Sequence, residues 1–279
     1  MNLQPFRFLC SALCAALLLP ALLSAQADNP LNFTDVVKRV GFEVGFTSAW
    51  QSGEYQTGCG VFQQGANLNF LIAAAYDQEI SRSFKFEAIA GYQSKNIKSS
   101  YISEENIGIS TESGPVNAKV SFDNIGRANF SYFFVQPSLK FYPFSNLYAG
   151  IGPSINLLLG SNTQYQKDIL SRTIQLNELG LSEVYYSESE TSDPYSKVFP
   201  AETGENASGV TLDLVMMIGA EFNVGKTYTN PINSKAKKKI AIGPRIQYAI
   251  PLLSAMSDGQ HDLRLNGLQF LVGGRFSLN

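Results

Sequence analysis

The segment Leu265–Asn279 alternates between apolar side chains and polar or small ones. In an extended strand, one face would carry Leu268, Phe270, Val272, Phe276 and Leu278, and the other Gln269, Gly273, Arg275 and Ser277. A period of two residues is typical of a strand with one apolar and one polar face. Because a transmembrane β-barrel turns its apolar face to lipid and its polar face to the lumen, the segment is suited to crossing a membrane as a strand.

Seven further segments repeat the alternation, at 40–50, 66–77, 84–94, 129–142, 147–158, 210–223 and 239–250. Each supplies the roughly 9–11 residues that a tilted strand needs to cross a bilayer. We therefore predict an all-β fold, an eight-stranded antiparallel up-and-down transmembrane β-barrel with long extracellular loops. Its register would turn Leu214, Ile246 and Phe270 toward lipid. A soluble lipocalin-like barrel is the alternative fold, since alternation alone does not say which face points outward.

The connections support the membrane alternative, because barrels of this class have short periplasmic turns and long outer loops. The outer loops would be 51–65, 95–128, 159–209 and 251–265, and the inner turns 78–83, 143–146 and 224–238. Loop 159–209 is long and acidic, so we expect it to be exposed, mobile and dispensable for folding. Pro137, Pro153 and Pro244 fall inside predicted strands, where a bulge or a rim position is expected for each.

The N-terminus has the features of a secretory signal over residues 1–27. Arg7 is followed by an apolar run from Phe8 to Leu23 and by the small-residue cleavage motif Ala25-Gln26-Ala27. A transmembrane anchor is the alternative, but the run is short. We expect Sec-type export, cleavage near Ala27, a short periplasmic segment at 28–39 and a barrel domain at 40–279 in the cell outer membrane.

The composition fits a protein whose outer surface contacts lipid. Charged residues make up 16% of the chain, against about 25% in an ordinary soluble domain. The formal net charge of -2 argues against a nucleic-acid partner. The expected partners are outer-membrane lipids, the barrel-assembly machinery during insertion, and an extracellular ligand at loops 95–128 and 159–209.

The polar faces place eight charged residues toward the lumen. The acidic set is Glu43, Glu87, Asp213 and Glu221, and the basic set is Lys85, Lys140, Arg245 and Arg275. An eight-stranded barrel is only wide enough to hold its own side chains. Charges buried there must pair, because an unpaired buried charge is costly. We therefore predict a charge network inside the barrel, with Glu43 and Arg275 pairing where the first and last strands close the ring; hydration of these groups near the rims is the alternative.

Catalytic and metal chemistry find little support. His261 is the only histidine and Cys59 the only cysteine beyond the signal segment, too few for a His/Cys metal site. A lipid-active enzyme would have to use His261 with Asp262, Ser254 or Ser257. A histidine in a solvated loop is the simpler interpretation of this segment. No base is evident for a catalytic Cys59. We expect no enzymatic activity, no cofactor and no metal.

Residues 130–158 carry a proline-containing strand, Gln136-Pro137-Ser138-Leu139-Lys140-Phe141-Tyr142, a tight turn, and a second strand with Tyr148-Ala149-Gly150-Ile151-Gly152-Pro153. This stretch resembles the PorT-like outer-membrane β-barrel family of Gram-negative bacteria, which is porin-family-like. The segments around Met217–Phe222 and the closing GGRFSL are similar to later strands of that family. The resemblance implies a barrel with recurring prolines and gives no specific activity.

Together these features predict a non-catalytic outer-membrane barrel with a lumen filled by side chains, acting structurally or in interaction through its long outer loops. A narrow porin for small solutes is the first alternative. A lipid-modifying outer-membrane enzyme is the second.

Overall fold

The computed structural model describes residues 37–57, 60–81, 83–111, 114–176, 180–186, 192–203, 206–224, 240–257 and 262–278. The predicted signal segment, Cys59 and His261 lie outside these residues, as does most of the connection 224–238. Within the described parts, no helix is long and apolar enough to cross a membrane.

Eight antiparallel strands form a closed ring. They are β1 (Lys38–Ser52), β2 (Gly65–Glu79), β3 (Phe84–Ser94), β4 (Gly114–Phe141), β5 (Leu147–Ile169), β6 (Val210–Ala220), β7 (Ile240–Pro251) and β8 (Asp262–Ser277). Each strand pairs with its neighbours in sequence, and β1 pairs with β8 to close the ring. The fold class is thus the predicted eight-stranded up-and-down barrel, and each predicted strand segment corresponds to one strand of the ring.

The barrel wall is apolar outside and mixed inside. Phe42, Phe70 and Phe270 are each at least half exposed, whereas Gln269, next to Phe270, is only 3% exposed. Large exposed apolar side chains occur on all eight strands. This orientation is the reverse of that in a soluble lipocalin-like barrel and is the one expected of a wall that faces lipid. Of the residues expected to face outward, Ile246 and Phe270 are exposed and Leu214 is half-buried.

The three prolines predicted inside strands interrupt the ladders without shifting the register. Pro137 of β4 and Pro153 of β5 stand at the same level, and the β4–β5 pairing stops before them and resumes after them in one register. Pro244 of β7 falls between two stretches of pairing in one register: the β6–β7 pairing ends at Gly219 and Arg245, and it resumes where Phe222 opposes Ile242. A bulge or a rim position was expected at each of these prolines, and the described pairings show no bulge there. Because proline has no N–H to donate, the ladder loses bonds there while the side-chain alternation is kept.

Strands occupy most of 95–128 and shorter stretches of 159–209, so the long outer loops predicted there include extensions of the barrel strands. β4 and β5 extend beyond the ring over 114–128 and 160–169, the strand Ile97–Thr111 pairs with the first extension, and Ser196–Val198 pairs with the second. We call the two extensions, together with the two strands that pair with them, the projecting sheet. A hairpin, Thr173–Leu176 with Gly180–Glu183, accompanies it.

The projecting sheet has a small core of its own, formed by Val120, Phe122, Ile169, Ile174 and Val184. Burial of these side chains stabilises the sheet outside the ring. The described strands of segment 159–209 therefore contribute to a packed cluster, and the mobility and dispensability of the segment stay predictions.

Candidate functional site

All eight charged residues assigned to the lumen from the sequence lie on the inner face of the barrel. Six of them are buried to within 5% exposure: Glu43, Glu87, Lys140, Asp213, Arg245 and Arg275. The Lys85 and Glu221 side chains retain 13% and 12% exposure. The strands bring seven of the eight into one connected cluster, and Asp213 lies in a separate pair.

Glu87 of β3 is at the centre of this cluster and is fully buried. Its Oε1 accepts hydrogen bonds from Lys140 Nζ at 2.7 Å and from Arg275 Nη2 at 2.7 Å. Its Oε2 accepts from Arg245 Nη1 at 2.6 Å. One carboxylate therefore compensates charge from three strands, and charge-assisted bonds of this kind are stronger than neutral ones.

Glu43 of β1 accepts hydrogen bonds from Arg275 of β8 and from Arg245 of β7. These contacts tie the first strand to the last two at the closure of the ring. A glycine at 273 provides the space, since a Cβ there would lie 2.9 Å from both Arg275 Nη1 and Glu43 Cγ. A side chain larger than hydrogen at position 273 would displace the ion pair.

Glu221 forms ion pairs with several cations at the end of the barrel where the turns are short. Its Oε2 lies 3.1 Å from both Arg39 Nη2 and Lys85 Nζ, and its Oε1 accepts a 2.5 Å bond from the Tyr142 hydroxyl. Lys140 Nζ reaches the same oxygen at 3.5 Å and links Glu221 to the Glu87 cluster. A cavity of about 420 Å³, lined in part by Arg39, Lys85 and Glu221, opens at this end.

Sequence reasoning missed three buried charges. Arg39 lies 3.9 Å from Asp77, Asp77 lies 3.3 Å from Arg275 Nε, and Lys95 Nζ lies 2.5 Å from Asp213 Oδ2. Each falls at or just beyond the end of a predicted strand segment. Continuing the alternation by a few residues would have found these three charges. Arg39 lies on the same face of β1 as Glu43, and Asp77 on the same face of β2 as the buried alanines. Lys95 continues the face of β3 that carries Glu87.

Above the charge cluster the interior is filled by amides. Gln93 Nε2 donates to Asn156 Oδ1 at 2.5 Å, and Gln269 Nε2 donates to Gln93 Oε1 at 3.3 Å. Asn156 Nδ2 also donates to Asp213 Oδ2 at 3.0 Å, which joins this layer to the Lys95 pair. Buried polar groups of this kind need such partners, and satisfied networks make an interior rigid.

The far end of the barrel is closed by apolar side chains. Phe62, Ile97, Phe130, Tyr132 and Leu263 are each at most 1% exposed and belong to one cluster. Phe62 reaches this cluster from the connection between β1 and β2, and its carbonyl oxygen accepts a 2.6 Å hydrogen bond from Gln51 Nε2. This apolar closure covers the amide layer, so the two ends of the interior differ in chemistry.

The glutamates of the interior are bonded mainly to cations of the same chain. Glu43, Glu87 and Glu221 each accept hydrogen bonds from at least two strands, whereas the oxygens of buried Asp77 lie near Arg39 and Arg275 without a hydrogen bond. Among the described residues, no group of three or more His, Cys, Asp or Glu side chains could hold a metal ion. Ser254 donates a hydrogen bond to Asp262 on the exposed surface, with His261 outside the described residues.

Comparison with known proteins finds structural matches only. No protein-family model matches the chain, and no curated protein matches it in sequence. Among solved structures, the chain is similar to Ail, the attachment invasion locus protein of Yersinia pestis, crystallised with the heparin analogue sucrose octasulfate. The two share 10% identity, 85% of this chain and 98% of that one are covered, and the TM-score is 0.32.

Two further solved structures are similar. The outer membrane protease OmpT of Escherichia coli shares 9% identity over 90% of this chain and 99% of its own, with a TM-score of 0.31. Neisserial surface protein A shares 9% identity over 85% and 95%, with a TM-score of 0.27. At these identities and scores the matches give no ligand, partner or activity for this chain. Its fold class, an eight-stranded antiparallel β-barrel, rests on its own closed strand ring and apolar outer wall.

Proposed function

We propose that this protein is a non-catalytic outer-membrane β-barrel that acts structurally or in interaction through its projecting sheet. One observation carries the proposal: above the cavity at the short-turn end, the described residues block the lumen with three successive layers, the charge cluster around Glu87, the amide layer around Gln93 and the apolar closure around Phe62. A barrel without an open lumen keeps surface only on its wall and at its ends. The wall is taken up by lipid, so the far end is left for interaction.

The outer-membrane location is supported by the exposed apolar side chains on every strand of the ring and by the secretory features of residues 1–27. The short-turn end would then face the periplasm and the projecting sheet the exterior. Membership of the PorT-like family is part of the proposal and is supported by the sequence resemblance of residues 130–158. Lipids and the assembly machinery are the proposed general partners.

A narrow porin is the second candidate, favoured by the cavity of about 420 Å³ at the short-turn end. A continuous path would have to pass the Glu87 cluster and then the closure formed by Phe62 and Tyr132. Both are well packed, and moving a solute through them would separate buried ion pairs. We therefore place this function second, and a lipid-modifying enzyme third.

The test is the conductance of the purified protein in planar lipid bilayers, with a known porin as the positive control. Heat-modifiable migration on a gel would first show that the inserted protein is folded. We expect no steady conductance above the lipid baseline. Reproducible ohmic steps from the folded protein would contradict the proposal and favour the porin.

A further inference from the structure

The strand Ile97–Thr111 forms one edge of the projecting sheet. On one side it pairs along its whole length with the first extension of β4. On the other side its pairing is confined, among the described residues, to Lys98 and Ser99, which oppose Ala66 and Gly65 of β2. Residues 102–111 therefore present an edge without a neighbouring strand in the described structure. We call them the open edge; at about 3.3 Å per residue they span roughly 30 Å.

The open edge lacks most of the features that protect sheet edges from further pairing. Natural edge strands are commonly short, or carry proline, a bulge or charged side chains, lysine above all. The charged side chains of the open edge are Glu104 and Glu105. Residues 102–111 read ISEENIGIST, with no proline and no lysine, and the pairing on the inner side shows no register shift. Ile102 is 68% exposed, so the edge also offers an apolar side chain to an incoming strand.

The edge is held in place by the core of the projecting sheet. Val120 and Phe122, on the strand next to the edge, are 0% and 3% exposed. Lys167 bridges across the sheet to both carboxylate oxygens of Glu105 at 2.7 Å, and it lies 4.2 Å from the centre of the Phe122 ring. Such support keeps the backbone extended before any partner arrives, which lowers the entropic cost of binding.

The negative charge of the projecting sheet and its connections favours a basic partner. Segments 97–128 and 159–209 together contain twelve acidic and six basic residues. Glu104 and Glu105 are the third and fourth of the ten residues of the open edge, and the side chain of Glu104 is 54% exposed even though it pairs with Lys119. Antiparallel pairing of two copies centred on these two glutamates would bring like charges opposite each other, which is unfavourable. A polyanion is disfavoured for the same reason.

We propose that the open edge binds an extended, lysine- or arginine-rich peptide segment of another protein, which adds to the projecting sheet as a further strand. Backbone hydrogen bonds provide the binding and alternate side chains the specificity, as in other cases of strand addition. The inference rests on the proposed function, in which the protein acts through this sheet. It adds the chemistry of the partner and the position at which it binds.

The test uses the full chain in lipid nanodiscs and three labelled ten-residue peptides, with binding followed by fluorescence anisotropy. The first alternates Lys and Val, the second has the same charge with prolines at two central Val positions, and the third alternates Glu and Val. We expect saturable binding of the first and roughly tenfold weaker binding of the second, because proline removes donors and breaks the strand. The third should not bind. Equal binding of the first two peptides, or no binding of the first, would overturn the proposal.

The position is tested by disulfide capture in a Cys59→Ser background. An activated-disulfide form of the Lys-Val peptide should react faster with Asn106→Cys on the open edge than with the matched control Asn162→Cys on β5, which is also exposed. Equal capture would overturn the edge assignment. Peptide-independent dimers linked through position 106 would show that a second copy occupies the edge and would also overturn it.

Conductance measured on the same preparation separates this inference from the proposed function. A non-conducting, folded barrel that fails to bind the Lys-Val peptide contradicts only the edge assignment. A conducting barrel contradicts the proposed function, whatever the peptides do.

Discussion

The barrel interior and the projecting sheet contain the same kinds of ion pair in very different surroundings. In the interior, the side chains of Glu87 and Lys140 are 0% and 2% exposed. In the projecting sheet, those of Lys119 and Glu104 are 65% and 54% exposed. A buried ion that loses its partner is left uncompensated at low dielectric, whereas an exposed ion is solvated by water. Burial, rather than the number of contacts, therefore decides what each pair contributes.

The interior also differs in how its pairs are connected. The single carboxylate of Glu87 contacts Lys140, Arg245 and Arg275, whereas that of Glu104 pairs with Lys119. A shared carboxylate couples the energies of its partners, so that substitutions within the interior should not be additive. The comparison between the two regions can be tested by matched substitutions.

The largest effect is expected for Glu87→Gln, which keeps the size of the side chain and removes its charge. Three cations would lose their common carboxylate, and we expect a loss of about 3–5 kcal/mol in the free energy of unfolding. Urea titration of the protein in lipid vesicles measures it, with fluorescence of the single tryptophan, Trp50, as the signal. The matched control, Glu104→Gln in the projecting sheet, should change the value by less than ~0.5 kcal/mol. Equal losses of stability in Glu87→Gln and Glu104→Gln would show that burial does not set the contribution of these ion pairs.

The next largest effect is expected where the wall meets lipid. Phe270→Arg places a charge on the outer face of β8 and should cost about 2–4 kcal/mol, depending on depth in the bilayer. Ile102→Arg, at an exposed apolar position of the projecting sheet, should be nearly neutral in the same titration. A large loss at Ile102 and none at Phe270 would mean that the exposed wall does not contact lipid.

Coupling at the ring closure should be smaller but measurable. Glu43→Gln and Arg275→Gln each break contacts that Arg245 and Glu87 share. We expect the double variant to lose less stability than the sum of the single losses, with a coupling of about 0.5–3 kcal/mol. The same unfolding titration on the four proteins gives this value. Strict additivity would show that the pair acts as two independent hydrated charges.

The smallest effect is expected for the exposed pair. A cycle with Glu104→Gln and Lys119→Gln should give a coupling below ~1 kcal/mol. It should shrink further at high salt because exposed charges are screened. Repeating the Glu43–Arg275 cycle at high salt provides the contrast, since burial should keep that coupling nearly unchanged. A salt-sensitive coupling in the interior would indicate that water enters the lumen.

The strand ring was predictable because its strands face two different solvents. Lipid on one side and the packed lumen on the other impose the alternation seen, for example, from Gln269 to Phe270. The projecting sheet escaped prediction because much of its surface faces water. Its edge strand mixes Ile102, Glu104 and Asn106 on one face, which leaves no apolar period to detect.

The interior charges were predictable only where they fell within a clear alternating segment. Glu43 and Arg275 lie inside such segments, whereas Arg39 and Lys95 lie at their margins, where a charged residue is also typical of a strand leaving the membrane. Their partners could not be found from the sequence, because Lys95 and Asp213 are 118 residues apart. Only the closed ring places such positions opposite each other.

The closing ion pairs join residues that are far apart in the chain, and this affects the order of events in folding. Glu43 and Arg275 are separated by 232 residues, and Glu43 and Arg245 by 202. Contacts between residues so far apart in the sequence can form only when the last hairpin reaches β1, after most of the barrel has assembled. Interactions absent from the transition state slow unfolding and leave the folding rate unchanged. Glu43→Gln should therefore speed unfolding while insertion proceeds at the parental rate, so the closing pairs would determine how long the barrel persists rather than how quickly it forms.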